Sequence, residues 1–252
     1  MLDPCFLRPI AHRGLHDAAR GTIENTLPAF AAAIAAGHGI ECDLQPAAGG
    51  LPVVFHDETL ERLTTRAGRV ADLSESELAR LVFKGDVRAR IPTFAAFLEL
   101  VAGRVPLLVE IKSDWSPPDA RFLREVAGLA AAYSGPLALM SFDPAVTAAL
   151  RVLAPAVPRG IVSGIYRAEG WWSDVLDETR RHDLGHLLES GPSAPAFYAY
   201  HVADLPTPVT RFVREVMRVP LFAWTVRDAM GWEAAGRWVD APIFEGVLPG
   251  SG

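Results

Sequence analysis

Residues 39–57 read GIECDLQPAAGGLPVVFHD, and their reading decides how the rest of the chain is arranged. Residues 40–44 predict a β-strand, on which side chains two apart point to the same face. Glu41 and Asp43 then project together on one side, and Ile40, Cys42 and Leu44 on the other. Two carboxylates in an otherwise apolar strand are costly unless something positive lies between them. Pro46–Gly50 predicts a turn and Leu51–His56 a returning strand. So short a connection joins antiparallel neighbours, because a parallel crossover takes roughly a dozen residues or more. The hairpin brings His56 and Asp57 back toward the two acids, which is the layout of a site rather than of a core.

Upstream of it, Phe6–Ala11 predicts a first strand that ends in His12-Arg13-Gly14. Asn25 or Thr26 can cap a helix with Pro28 in its first turn and Gly37 just past its end, and Leu27, Phe30, Ala31 and Ile34 give that helix an apolar face. Downstream, 59–90 is more polar and holds one short helix, opened by Ser74 with Glu77 three residues on. A helix over Thr93–Ala102 follows. Pro106–Lys112, PLLVEIK, predicts a buried strand that again ends in polar residues two apart, Glu110 and Lys112.

Beyond it, helices near 118–133, 144–153, 171–181, 208–217 and 229–239 alternate with strands near 137–141, 159–162, 197–201, 220–226 and 242–245. With the return strand set aside, eight strands separated mostly by helices predict an α/β fold of the (β/α)8 type, a TIM barrel. It carries a small hairpin after its second strand and a short helical insert over 59–90, within a single domain spanning 1–252. An open doubly wound sheet fits less well, since no glycine-rich phosphate fingerprint is present. Polar residues gather at the C-terminal strand ends: His12 and Arg13, Glu41 and Asp43, Glu110 and Lys112, Ser141, His201, Trp224 and Thr225, and Glu245.

The bulk numbers agree with one large core: 252 residues, half of them hydrophobic and 21% charged. Net charge is −6 and no Lys/Arg run exceeds two residues, which argues against a nucleic-acid partner. Cys5 and Cys42 form neither a metal pattern nor a disulfide framework. No apolar run reaches transmembrane length, and the first strand starts too early to leave room for a signal peptide. The expectation is a cytoplasmic protein without stable membrane insertion, its oligomeric state left open.

Glu41, Asp43 and Glu110 come from neighbouring strands, and three carboxylates that close cannot all stay ionised without a cation. An all-oxygen donor set selects one hard divalent ion, Mg²⁺ or Ca²⁺, with Mn²⁺ also accommodated. Arg13 and Lys112 flank the acids, and a divalent ion with Arg and Lys suits a small phosphate ester. His12 and His56 reach the same place from different strands and can serve as general acid and base, because imidazole ionises near neutral pH. Asp57 can orient His56. Trp224 reads as a pocket wall or as core filling, Ser141 and His201 as pocket lining or packing, and Trp171-Trp172 as a greasy lip or the first turn of a helix. A buried ion cluster with no metal is the alternative for the acids.

AHRG at 11–14, ENT at 24–26, ECDLQ at 41–45, VVFHD at 53–57, EIK at 110–112, SF at 141–142 and WTV at 224–226 together resemble the glycerophosphodiester phosphodiesterase family. The resemblance implies a TIM barrel that hydrolyses glycerophosphodiesters to glycerol 3-phosphate and an alcohol with a divalent metal. Carried over by motif, it implies His12 and His56 as the acid/base pair, Glu41, Asp43 and Glu110 as metal ligands, and Arg13 and Lys112 as phosphate contacts. Three features depart from the family's pattern: a longer loop between HRG and ENT, Ile23 where a proline commonly precedes ENT, and Glu245 where the last strand often has an aspartate. All three bear on the choice of substrate. A lysophospholipase D or sphingomyelinase D-like activity on lipids, and a catalytically silent barrel that binds phosphate-containing ligands, are the alternatives.

Overall fold

Alternation along β2 (Gly39–Ala47) sorts the molecule into two packings. Ile40, Cys42 and Leu44 point outward, where they meet Leu107, Val109 and Ile111 of β4 (Leu107–Ile111) and the rings of Phe30 and Phe97 from the surrounding helices. The residues between them point into a barrel whose floor is a separate apolar cluster, including Leu108, Ala138, Met140, Val162, Phe197 and Phe222. The computed structural model describes residues 2–86, 88–170 and 172–246.

β1 (Ile10–Ala11) pairs in parallel with β2 on one side and with β9 (Ala241–Phe244) on the other. Between them run β4, β5 (Leu137–Ser141), β6 (Arg159–Ser163), β7 (Phe197–His201) and β8 (Leu221–Val226), each parallel to its neighbours. The result is a closed eight-stranded barrel with helices between most of its strands, the expected (β/α)8 fold. β3 (Leu51–Val54) hangs antiparallel on the end of β2, with Leu44 opposite Val54.

Helix boundaries follow local capping. α1 (Leu27–Ala35) starts after Thr26 with proline in its first turn. α2 (Glu75–Leu78) has the Ser74/Glu77 capping box, and α3 (Phe94–Val101) is capped by the Thr93 hydroxyl. Asp119 and Asp143 cap α4 (Ala120–Ala132) and α5 (Pro144–Leu153), and Asp228 caps α8 (Ala229–Trp238). α7 (Pro208–Arg211) runs on into a wider turn over Phe212–Val216.

Two elements differ from the sequence expectation. Phe6 is not in a strand: Asp3 accepts the Cys5 amide hydrogen bond, Pro4 opens a 3₁₀ turn over Pro4–Phe6, and pairing begins only after Pro9. Phe6 instead joins the floor of the barrel, fully buried, a burial worth roughly 1.5–3 kcal/mol. The helix expected from Trp171 begins only at Glu178, as α6 (Glu178–Gly185), because Asp177 supplies the cap by accepting from the Arg180 amide at 2.8 Å. Trp171 lies outside the described residues. Trp172 is folded onto its own loop, its indole N–H donating to the Arg167 carbonyl at 2.7 Å and its ring edge-on to Tyr166.

Residues 59–90 build a small core of their own beside the barrel, with Leu60, Val70, Leu73, Leu78, Leu81 and Phe83 buried together under β3. Among the described residues no helix is long and apolar enough to cross a membrane.

Candidate active site at the C-terminal mouth of the barrel

The parallel register sets Asp43 directly beside Glu110, with Glu41 one inward position below. All three carboxylates are buried, and one oxygen from each lies within 4.8 Å of the others. Asp43 is held on three sides. Lys112 Nζ is 2.7 Å from its Oδ1 and also contacts Glu110, Arg13 Nε is 3.3 Å from its Oδ2, and Asn25 donates its side-chain amide to Oδ2 at 2.8 Å. Burial acts to raise the Asp43 pKa, but Lys112, His56, Arg13 and His12 together hold it well below the ordinary carboxylate range. Lys112 is pushed up despite its own burial, by Asp43 and Glu110.

Glu41 is the opposite case. One oxygen accepts the Arg13 amide at 3.0 Å, while the other is buried without a hydrogen-bond partner. Burial, and then the negative charges of Asp43 and Glu110, push its pKa well above the ordinary value. An orphaned carboxylate oxygen beside two more carboxylates is the donor set a hard divalent cation satisfies, since one ion supplies the missing partner and removes the like-charge conflict. The residues present therefore fit the expected metal.

The turn after β1 aims the first histidine and arginine. Arg13 and Gly14 both have positive φ, 56° and 80°, and a Cβ on Gly14 would lie 2.9 Å from the Ala29 backbone of α1. Only glycine fits there, and Arg13 is held in its sparse conformation by its amide bond to Glu41. His12 is buried, which lowers its pKa to about 4, although the Glu245 hydrogen bond acts the other way. Its Nδ1 is 2.9 Å from Glu245 Oε2. A carboxylate can only accept, and the His12 bond, helped by Arg227 and opposed by burial, leaves Glu245 ionised with a pKa of about 2. Nδ1 thus carries the hydrogen, leaving Nε2 with a free lone pair 3.8 Å from Glu41.

His56 sits just past β3, half-buried, with Nδ1 2.7 Å from Asp57 Oδ1 and its carbonyl accepting from Gln45 Nε2 at 3.0 Å. Trp224 borders the same hollow as His12, Glu41 and Glu110; its indole N–H donates to the Ser163 carbonyl at 3.1 Å, and its ring packs edge-on against Phe142 and His201. Ser141 is fully buried and donates to the Ile111 carbonyl at 2.7 Å, which makes it a packing residue.

Every residue singled out in the sequence as catalytic, metal-binding or phosphate-binding thus lies at this end of the barrel. Others at the mouth were not singled out for the roles they hold. Asn25, read only as a helix cap, reaches Asp43 through an αL backbone of φ 55°. Glu245, read as a feature bearing on substrate choice, contacts His12 instead. Glu24 and Gln45 stand in the ENT and ECDLQ motifs and Arg62 in none, but no role was read for any of the three, because their partners are reached only through tertiary folding.

A closed barrel whose mouth gathers three carboxylates, two cations and two imidazoles defines an enzyme of the TIM-barrel class. Comparison with known proteins gives the family. The profile of the glycerophosphoryl diester phosphodiesterase family matches residues 12–247. The Bacillus subtilis protein YhdW is 31% identical over 87% of this chain and 86% of its own. A glycerophosphodiester phosphodiesterase of Caldanaerobacter subterraneus is 39% identical over a shorter stretch, 41% of this chain and 44% of its own. In fold, the chain resembles an Oleispira antarctica phosphodiesterase solved with the product sn-glycerol-3-phosphate, with a TM-score of 0.70 at 21% identity over 94% of this chain and 92% of that one. The chain belongs to the glycerophosphoryl diester phosphodiesterase family.

Proposed function

We propose that the protein hydrolyses glycerophosphodiesters to glycerol 3-phosphate and an alcohol, with one divalent cation held by Glu41, Asp43 and Glu110 and with His12 and His56 moving the protons. The observation that carries this reading is the buried carboxylate triad with its orphaned Glu41 oxygen, flanked by Arg13 and Lys112 and by two imidazoles that each meet a carboxylate. The cation, Mg²⁺, Ca²⁺ or Mn²⁺ by its oxygen donors, supplies neutralisation of charge developing on the phosphoryl oxygens.

The chain's own residues do the rest. Arg13 and Lys112 bind the phosphate oxygens and keep them in place. His12, neutral and with Nε2 free, takes the proton from the attacking hydroxyl, either that of water or a neighbouring hydroxyl of the substrate, the latter giving a cyclic phosphate that water then opens. His56, as an imidazolium whose Nδ1–H is held by Asp57, gives its Nε2 proton to the departing alcohol oxygen as its bond to phosphorus breaks. Trp224 forms a wall for the organic part of the substrate.

The test is an assay on glycerophosphocholine and glycerophosphoethanolamine, reading released glycerol 3-phosphate in EDTA and after Mg²⁺, Ca²⁺ or Mn²⁺ is added back. Metal-restored release is expected. A folded protein that releases nothing with any of the three ions is outside this reading, and lysophospholipids are then the next substrates to try.

A further inference from the structure

We propose that Arg62, delivered by the 59–90 insert, is a positioning residue that ties the acid histidine to the phosphate-binding arginine. This rests on the roles proposed above for His56 and Arg13. The geometry is a continuous chain of charge-assisted hydrogen bonds. Arg62 Nε donates to Asp57 Oδ2 at 2.6 Å and Nη2 to Asp57 Oδ1 at 3.0 Å. The other edge of the same guanidinium faces Glu24, with Nη1 to Oε2 at 2.9 Å and Nη2 to Oε1 at 2.8 Å. The oxygen that each carboxylate gives to Arg62 Nη2 also meets a site residue: Asp57 Oδ1 meets His56 Nδ1 at 2.7 Å, and Glu24 Oε1 accepts from Arg13 Nη1 at 2.8 Å.

An isolated surface ion pair contributes little. Arg62 is different, because it is bidentate toward two carboxylates at once, a planar fork that lysine cannot reproduce. It is also rigidly supplied: it lies on a turn between Leu60 and Thr64, both buried, with the Thr64 hydroxyl donating to the Leu60 carbonyl at 3.0 Å. The small core of 59–90 therefore has a job at the mouth of the barrel. Without Arg62, Asp57 is free to swing away from His56, and the full charge of Glu24 falls on Arg13.

The experiment compares Arg62→Ala, Arg62→Gln and Arg62→Lys with the wild type on two substrates. The choline of glycerophosphocholine is a poor leaving group whose alkoxide needs a proton, whereas bis(p-nitrophenyl) phosphate releases a phenolate that does not. Each variant is expected to lose about 10-fold or more in kcat on the first substrate and much less on the second, as mispositioning of one proton donor predicts. In the His56→Ala background the same substitutions are expected to add little further loss on the first substrate. In parallel, ¹⁵N spectra of the histidine rings, with His56 assigned by its absence in His56→Ala, are expected to show the neutral His56 ring as the Nδ1–H tautomer in the wild type and as a tautomer mixture in the variants. Equal losses on both substrates, additive losses with His56→Ala, or unchanged His56 ring signals in a folded variant overturn the proposal. The spectra decide it even if the wild type turns over neither substrate, an outcome that would count against the proposed reaction and not against the clamp.

Discussion

The two histidines are not equivalent. His12 is kept neutral by burial, which lowers its pKa to about 4, and its bond to Glu245 fixes the hydrogen on Nδ1. His56 is half-exposed and held by Asp57. One is set to accept a proton and the other to give one. His12→Ala and His56→Ala are each expected to lower turnover of glycerophosphocholine by at least about 10²-fold. On bis(p-nitrophenyl) phosphate His56→Ala is expected to recover most of its loss, whereas His12→Ala is expected not to. Steady-state kinetics on both substrates check the assignment, and a reversed pattern would exchange the roles. The sequence placed both rings at strand ends but did not distinguish them, because Glu245 lies 233 residues from His12 and only barrel closure brings the two together.

The β2–β3 hairpin was legible as an element, although β2 runs on through Pro46 and Ala47 and β3 ends at Val54, short of His56. Its alternation, its glycine turn and the return of His56 all follow from a period of two and a short connection. β1 was not. Phe6–Ala11 has the composition of a strand, but Asp3 and two prolines win locally, and the barrel floor takes Phe6 as a plug. The start of α6 was misplaced for a similar reason, since the helix was expected from the tryptophan pair while the capping carboxylate of Asp177 lay further on. Gly160 on β6 shows what an element alone does not reveal. A Cβ there would lie 2.4 Å from the ring of Phe197, which is fully buried in the barrel floor. Gly160→Val is expected to destabilise by about 1–3 kcal/mol through overpacking, read as a lower midpoint in urea at unchanged slope. An unaltered midpoint would mean that the floor has room to spare.

At the scale of the molecule, the barrel brings three carboxylates together at its mouth, and metal-free folding has to tolerate them. The sign is set by Glu41. A carboxyl whose folded pKa is raised favours the folded state while it is protonated, and that contribution is lost as pH rises from the ordinary carboxylate range through the raised value. In EDTA, the Glu41→Gln variant is therefore expected to be more stable than the wild type at pH about 8, where an ordinary carboxyl is ionised. With Mg²⁺, Ca²⁺ or Mn²⁺ the order reverses. An ion at about 100 times its Kd stabilises the wild type by about 2.7 kcal/mol, a rise of roughly 5–10 °C in Tm for a chain of this size, and Glu41→Gln is expected to lose most of it. Differential scanning calorimetry with and without the ions checks both halves. A wild type whose Tm ignores all three would leave the acids as a buried ion cluster bridged by Lys112.

The sequence by itself determined the barrel, the hairpin, the acidic triad, both histidines and the two cations that flank them. These are local properties: a period of two, a capping residue, a strand end that turns polar. Only the tertiary structure decided that Glu245 holds His12, that Asn25 serves Asp43 as well as standing at a helix start, and that the polar insert brings Arg62 to Glu24 at the mouth. Those assignments join residues 18 to 233 positions apart. Hydrogen bonds depend on ångströms in space, and nothing in the spacing of Glu24 and Arg62 along the chain encodes the 2.8 Å between them.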